Sequence, residues 1–476
     1  MTPSFYRRKK IVSMFIKNTG IYRWAILFVL SLLMVSVVGA QTSTAPTSEQ
    51  IVSKVNEYMD AAQRIDRFSG SILVARDGKP IVSKGYGMAN YEWDIPNSPQ
   101  TEFRLGSVTK QFTAAAIMLL QERGRLSVND PVCRYFTDCP AAWESMTIRH
   151  LLTHTSGIPD YTSFPGWMEK KGTLPITPAE LLAEYKSKPL DFAPGEKFSY
   201  SNSGYHLLGL IIENAAGKSY ADFLQENIFT PLGLKHTGYD NSRSLIKQRA
   251  AGYIRDGDGF VNAAYLDMLI PYAAGSLYSS TEDLLAWDQA LYTNKLLTQK
   301  SKEEMFTPFK SGYAYGWGIG KQFEHTSISH GGAIYGFSSQ IARFPDDRVT
   351  VVVLSNVQGA STGKVAGSLA AIVFGAKYDM PVEHKAINLP SSVLDQYVGE
   401  YLVQTSTTLT ITKEGDKLML SIPAQPKMQL FPESETDFFL KIVDAQITFV
   451  KDASGKVTQL LFRQGRGQGI PAPKVK

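Results

Sequence analysis

The 476-residue chain is poor in soft metal ligands, with two cysteines and seven histidines. No His-Glu-x-x-His pattern or His-Cys cluster accompanies them, so the sequence implies neither a zinc site nor any other metal. His150 and His154 stand four apart, but no carboxylate or third histidine joins them at helical spacing, and a structural role is expected for both. Basic runs are also missing beyond residue 40. The first forty residues hold six basic and no acidic residues; the remainder has 43 Lys and Arg against 44 Asp and Glu. A net charge near −1, without a basic stripe, excludes nucleic acid as an expected partner. No apolar run reaches the roughly 20 residues of a membrane span, and no internal repeat is present. Nothing in the composition calls for a cofactor.

The N-terminal forty residues read as a signal peptide. A basic region precedes the apolar run Ala25–Val38, and the small residues Gly39-Ala40 offer a cleavage point. Secretion or delivery to a periplasm is the expectation, with an uncleaved N-terminal membrane anchor as the alternative. Residues 41–49 form a polar linker. Export places Cys133 and Cys139, six residues apart, in an oxidising compartment where a disulfide between them is expected.

Beyond the linker the hydrophobic periodicity changes along the chain. Residues 48–64 carry a helical stripe of Ile51, Val55, Tyr58, Met59 and Ala62. Gly70–Gly85 contains two β runs around Asp77-Gly78, a hairpin signal. The middle, to about Thr307, is helical and loop-rich. Strands resume at Ser327–Ser329, Gly336–Arg343 and Arg348–Ser355, followed by a helix over Gly363–Phe374. Strands at both ends with helices between predict an α+β domain over 50–375: one antiparallel sheet with helices, plus a helical lobe. After a linker at 376–390, six β runs between Tyr397 and Arg463 predict a small all-β domain over 391–476.

The chemistry concentrates in Arg104-Leu-Gly-Ser-Val-Thr-Lys110. Phe112, Ala115, Ala116, Leu119 and Leu120 recur at helical spacing after it, placing Ser107 at a helix start and Lys110 one turn on. A serine hydroxyl is a weak nucleophile until a nearby base takes its proton, and Lys110 is within reach. Ser244-Leu-Ile-Lys247 and Ser361-Thr-Gly-Lys364 match the same pattern, but only Ser107 combines the Arg-Leu-Gly lead-in with an apolar helix.

Together with Tyr200-Ser-Asn202 and Ser329-His-Gly-Gly-Ala333, this motif resembles the three active-site motifs of the serine β-lactamase and penicillin-recognising hydrolase superfamily. The class C β-lactamase-related branch is the nearest in pattern, with its esterases, D-aminopeptidases and DD-peptidases. The segment Thr147–Ile158 is similar to one common in that branch. The resemblance implies a β-lactamase/DD-peptidase-like fold and an acyl-enzyme on Ser107. Tyr200 would act as a tyrosinate stabilised by Lys110, although the pattern leaves the base open between Lys110, Tyr200 and the pair. Asn202 would bind a substrate carbonyl. His330, Gly331, Gly332 and Ala333 would form the substrate-binding strand, with the Ser107 and Ala333 N–H groups as oxyanion donors. His330 stands where β-lactamases typically carry lysine, which shifts the expectation from β-lactams toward small esters and D-amino-acid peptides. The C-terminal domain resembles lipocalin-like appendages on such hydrolases.

Two other readings fit parts of the sequence. Gly359-Ala-Ser361-Thr-Gly363 matches a nucleophile elbow, whose triad order would require Asp379 and His384, beside the linker. Several residues separate Ser361 from the preceding strand, which argues against it. A binding or sensor protein that retained the fold, or one acylated without turnover, is the alternative from another functional class.

Overall fold

The computed structural model describes residues 46–256, 259–403, 407–423, 427–441, 445–464 and 469–476. The expected signal segment and most of the polar linker lie outside the described residues. The first described element is helix α1 (Ser48–Arg64), opened by a capping box between Thr47 and Gln50.

Six strands form the antiparallel sheet of the larger domain: β1 (Gly70–Arg76), β2 (Lys79–Tyr86), β3 (Gly318–Gln322), β4 (His325–Ile334), β5 (Phe337–Phe344) and β6 (Val349–Ser355). Their spatial order is β3-β4-β5-β6-β1-β2, so the N-terminal hairpin completes a sheet begun by the late strands. The β1–β6 junction runs in register from Gly70 opposite Ser355 to Arg76 opposite Val349. Every residue of β6 is buried, because both faces of the sheet are covered. On one face Ile72, Val74, Val351 and Val353 pack against α1 and the helix α5 (Thr362–Phe374). On the other, Leu73, Val352 and Leu354 join a core shared with the helical middle.

That middle is built on α2 (Thr109–Glu122), α3 (Asn202–Ala216) and α4 (Thr281–Ala290). Phe112 of α2 stacks on Trp287 of α4, with ring centroids 4.4 Å apart. Asp288 of α4 is fully buried, and accepts from Arg343 Nε of β5 and Thr350 Oγ1 of β6, each at 2.6 Å. A buried carboxylate needs such partners, and here they anchor the helical lobe to the sheet. A disulfide joins Cys133 to Cys139, with Cα atoms 5.3 Å apart.

Residues 376–390 carry no regular element. Beyond them eight strands follow one another as an antiparallel meander: β7 (Gly399–Val403), β8 (Thr407–Glu414), β9 (Lys417–Ser421), β10 (Met428–Pro432), β11 (Asp437–Phe439), β12 (Ala445–Lys451), β13 (Val457–Gln464) and β14 (Ile470–Pro473). A bridge between Tyr401 and Lys474 brings the last strand back to the first, giving a near-barrel. It has a core of its own, including Tyr397, Ile411, Leu420, Ile447, Phe449 and Leu460. Sequence patterning anticipated six of these strands and missed β10 and β14. Both are short and contain proline, which cannot donate to a ladder and reads as a turn residue.

Candidate active site

The chain turns sharply at Gly106, whose φ of +53° is a left-handed conformation. A Cβ there would also lie 2.9–3.0 Å from the Ala333 backbone. Glycine therefore lets β4 press against the turn Gly106–Val108, a single 3₁₀ turn that runs straight into α2. On β4 the partner strand β3 ends opposite Ser329, so β3 does not cover the edge from His330 to Ile334. The serine turn lies against that part of the strand. Gly332 allows the approach: a Cβ at 332 would sit 2.0 Å from the Leu105 carbonyl oxygen and 2.4 Å from Ser339 Oγ.

Lys110 projects from the first turn of α2 into a fully buried position. Its Nζ lies 3.0 Å from Ser107 Oγ, 2.8 Å from Asn202 Oδ1 and 2.9 Å from the Ala274 carbonyl. Burial pushes the lysine down to about 7, partly opposed by the charge of Asp160. As a neutral amine, Lys110 has two protons and one lone pair. Asn202 Oδ1 and the Ala274 carbonyl can only accept, so they take the protons, and the lone pair is left for the Ser107 hydroxyl.

The orientation of Asn202 is itself determined. Its Nδ2 donates to Asp160 Oδ2 at 3.1 Å, and its backbone N–H donates to Asp160 Oδ1 at 3.2 Å. Oδ1 therefore faces the lysine. Sequence patterning does not single out Asp160, although it lies two residues beyond the Thr147–Ile158 segment. Its signal was the Asp-Tyr-Thr-Ser pattern, a side-chain cap on a following turn, which it forms with Thr162 N–H.

The Tyr200 ring lies beneath the lysine, with Nζ 4.8 Å from its centroid. Burial raises the Tyr200 phenol well above its ordinary value; a hydrogen bond with Ser107 works the other way. This favours a neutral phenol at rest, in contrast to the tyrosinate that the resemblance implied. The lysine and the tyrosine are thus both displaced toward their uncharged forms. His154 packs on Tyr200 at 4.2 Å between centroids and accepts the Ser201 N–H at Nδ1, 3.1 Å away. It adopts φ +55° while almost wholly buried, so it braces the segment carrying Tyr200 and Asn202. His150 instead caps its own helix by accepting the Thr147 N–H. Among the described residues no group of three or more His, Cys, Asp or Glu could hold a metal.

His330 meets Tyr313 Oη at 2.9 Å through Nε2, and its Nδ1 lies 2.6 Å from the Gly331 carbonyl. A carbonyl only accepts, so Nδ1 carries the proton and Nε2 accepts from Tyr313. Burial first, then the nearby Lys110 charge, lowers His330 to about 4. It is neutral near pH 7, where free histidine would be partly charged, and does not replace a permanent lysine cation.

Ser107, Asn202 and Ala333 open onto a cavity of about 280 Å³. Tyr161, Met168, Leu266, Ile270, Pro271 and Ile334 supply much of its apolar wall, drawn partly from the segments 161–174 and 253–269. No charged side chain lines it among the described residues. The structure thus brings together Ser107, Lys110, Tyr200, Asn202, His330, Gly331, Gly332 and Ala333. It does not assemble the rival triad: His384 is held by Glu433 and Gln446 of the near-barrel.

A serine on a helix-opening turn, a buried amine beside it and an open strand edge define an α+β domain of the active-site serine type. The Beta-lactamase family profile matches residues 53–373, and a second profile, a domain of unknown function (DUF3471), matches 383–470. Penicillin-binding protein 4* of Bacillus subtilis (strain 168) is 34% identical over 427 residues, covering 84% of this chain and 94% of that protein. The octameric penicillin-binding protein homologue from Pyrococcus abyssi superposes with TM-score 0.63 at 28% identity, covering 88% of this chain and 99% of the other. A D-stereospecific amidohydrolase from Streptomyces superposes with TM-score 0.58 at 25% identity, over 70% of this chain and all of the other. The chain belongs to the Beta-lactamase family, whose members related to it are serine hydrolases.

Proposed function

We propose that this protein is an exported serine hydrolase that cleaves small esters, apolar and uncharged next to the reacting carbonyl, through an acyl-enzyme on Ser107. The observation that carries the reading is the arrangement around Lys110: a buried amine 3.0 Å from the hydroxyl, with its other two sites occupied by acceptors. Lys110 takes the Ser107 proton as Oγ attacks the substrate carbonyl. The resulting oxyanion is met by the Ser107 and Ala333 N–H groups. As the tetrahedral intermediate collapses, the proton passes from Lys110 to the leaving group, with the Tyr200 phenol as a neutral donor beside it. Water then attacks the acyl carbon and gives its proton to the same amine, which returns it to Ser107 Oγ as the acyl–Oγ bond breaks and the acid leaves.

The ester preference rests on the cavity. Its wall is largely apolar and carries no charged side chain among the described residues, and His330 is neutral, so a carboxylate next to the scissile bond would go without a cation. D-amino-acid peptides stand second, supported by the likeness to an amidohydrolase, and β-lactams third. Export is supported by the basic and apolar N-terminal pattern and by the Cys133–Cys139 disulfide. No helix among the described residues is long and apolar enough to cross a membrane.

The test is covalent labelling with a fluorophosphonate probe, read by intact mass. One adduct on the native protein and none on Ser107→Ala is expected. A folded native protein that takes no adduct would overturn the acyl-enzyme and favour a binding role.

A further inference from the structure

Beside the Ser107 cavity lies a second one, also of about 280 Å³, lined by Arg104, Arg249, Ser242, Asn262, Tyr335 and Phe337 among others. Tyr335 lines both cavities, and Leu266 of the first directly follows Tyr265 of the second. Arg104 stands three residues before the nucleophile, which limits its Cα to about 11 Å from that of Ser107. The two cavities are therefore neighbours along one cleft wall.

The charge in the second cavity is uneven. Arg104 Nε and Arg249 Nη1 both donate to the same Asp240 oxygen, each at 2.9 Å. Asp240 is fully buried, and its other oxygen accepts the Ser242 N–H. Glu102 also faces Arg249, but it is held by His236 at 3.0 Å. Among the described residues lining the cavity the only charged groups are the two guanidiniums. Their side chains are 12% and 33% exposed, and their remaining nitrogens find no acceptor among the described residues. Two partly buried guanidiniums that share one carboxylate keep N–H groups to spare, and planar N–H forks suit an oxyanion.

We propose that this cavity is an anion subsite for the distal end of the substrate, taking a carboxylate or phosphate group beyond the apolar acyl portion. This rests on the hydrolase reading above and extends it: the protein would prefer esters that are apolar at the reacting carbonyl and anionic at the far end.

The experiment compares two aryl monoesters of one dicarboxylic acid series, with the far carboxylate either free or methylated, plus a phosphate-terminated analogue. At low salt wild-type kcat/KM should favour the free anion by about tenfold, and the preference should shrink as salt rises. In Arg249→Gln the anionic-to-methylated ratio should fall toward one, and Arg249→Lys should keep part of it. Using a ratio cancels general damage to the catalytic turn. The phosphate and carboxylate arms identify the anion. Equal wild-type rates on free and methylated esters at low salt would overturn the subsite, as would a ratio untouched by Arg249→Gln. Absence of turnover on both would instead count against the hydrolase reading.

Discussion

Replacing Lys110 by methionine should abolish acylation of Ser107 and at the same time stabilise the fold, by an amount that depends on pH. The unfolded chain holds this lysine near its ordinary value of about 10.4, while the folded protein holds it at about 7. The folded pKa is depressed, so the folded state is penalised wherever the unfolded lysine is protonated and the folded one must be neutral or a buried cation. The penalty is full below about pH 7, where it amounts to roughly 4–5 kcal/mol at 1.36 kcal/mol per unit. It fades as pH rises, to about 2 kcal/mol at pH 9, and vanishes above about pH 10.4. Methionine removes this term but forfeits the hydrogen bonds to Asn202 and Ala274, which offset about 1 kcal/mol each. The net gain at pH 7 should be roughly 2 kcal/mol, and it should fall by about 2 kcal/mol between pH 7 and pH 9. Urea unfolding followed by tryptophan fluorescence measures this cleanly, because all six tryptophans precede residue 376 and none reports on the near-barrel. A stability difference that does not change between the two pH values would refute the buried neutral amine, and so would a Lys110→Met protein that still takes the fluorophosphonate.

The same lysine predicts the catalytic pH profile. kcat/KM on an uncharged ester should rise with pH to a plateau, with an apparent pKa near 7 for Lys110, and His330, at about 4, should add no step between pH 5 and 9; a profile flat from pH 5.5 to 8.5 would contradict the assignment of the base. Gly332→Ala should push β4 off the serine turn, since its Cβ meets backbone and Ser339 at 2.0–2.4 Å, costing about 1–3 kcal/mol and most of the labelling rate. Wild-type labelling by Gly332→Ala would show that the strand need not approach so closely.

Much of the site was legible because its parts are local. Ser107 and Lys110 share one helical turn, and an i, i+3 spacing brings such residues onto one face whatever surrounds them. The hairpin at Asp77-Gly78 and the valine run of β6 follow in the same way from turn chemistry and periodicity. The α+β class followed from strands at both ends of a helical middle. Short strands with proline, β10 and β14, were not legible, since their pairing partners alone define them.

Other features were decided only by the tertiary structure, because they depend on burial and on contacts between distant segments. Three Ser-x-x-Lys and three Tyr-x-Asn patterns occur in the chain, and folding brings Lys110 to Asn202 and Ala274, 92 and 164 residues away. Asp160 became the residue that orients Asn202. Tyr200, expected as a tyrosinate, became a neutral phenol because desolvation outweighs its hydrogen bond with Ser107, and burial together with the Lys110 charge keeps His330 neutral. Arg104 and Arg249 meet only through Asp240, across 136 and 9 residues. Sequence sets which groups exist and how local turns present them; the protonation state of a buried group is set by the low-dielectric surroundings that the whole fold assembles.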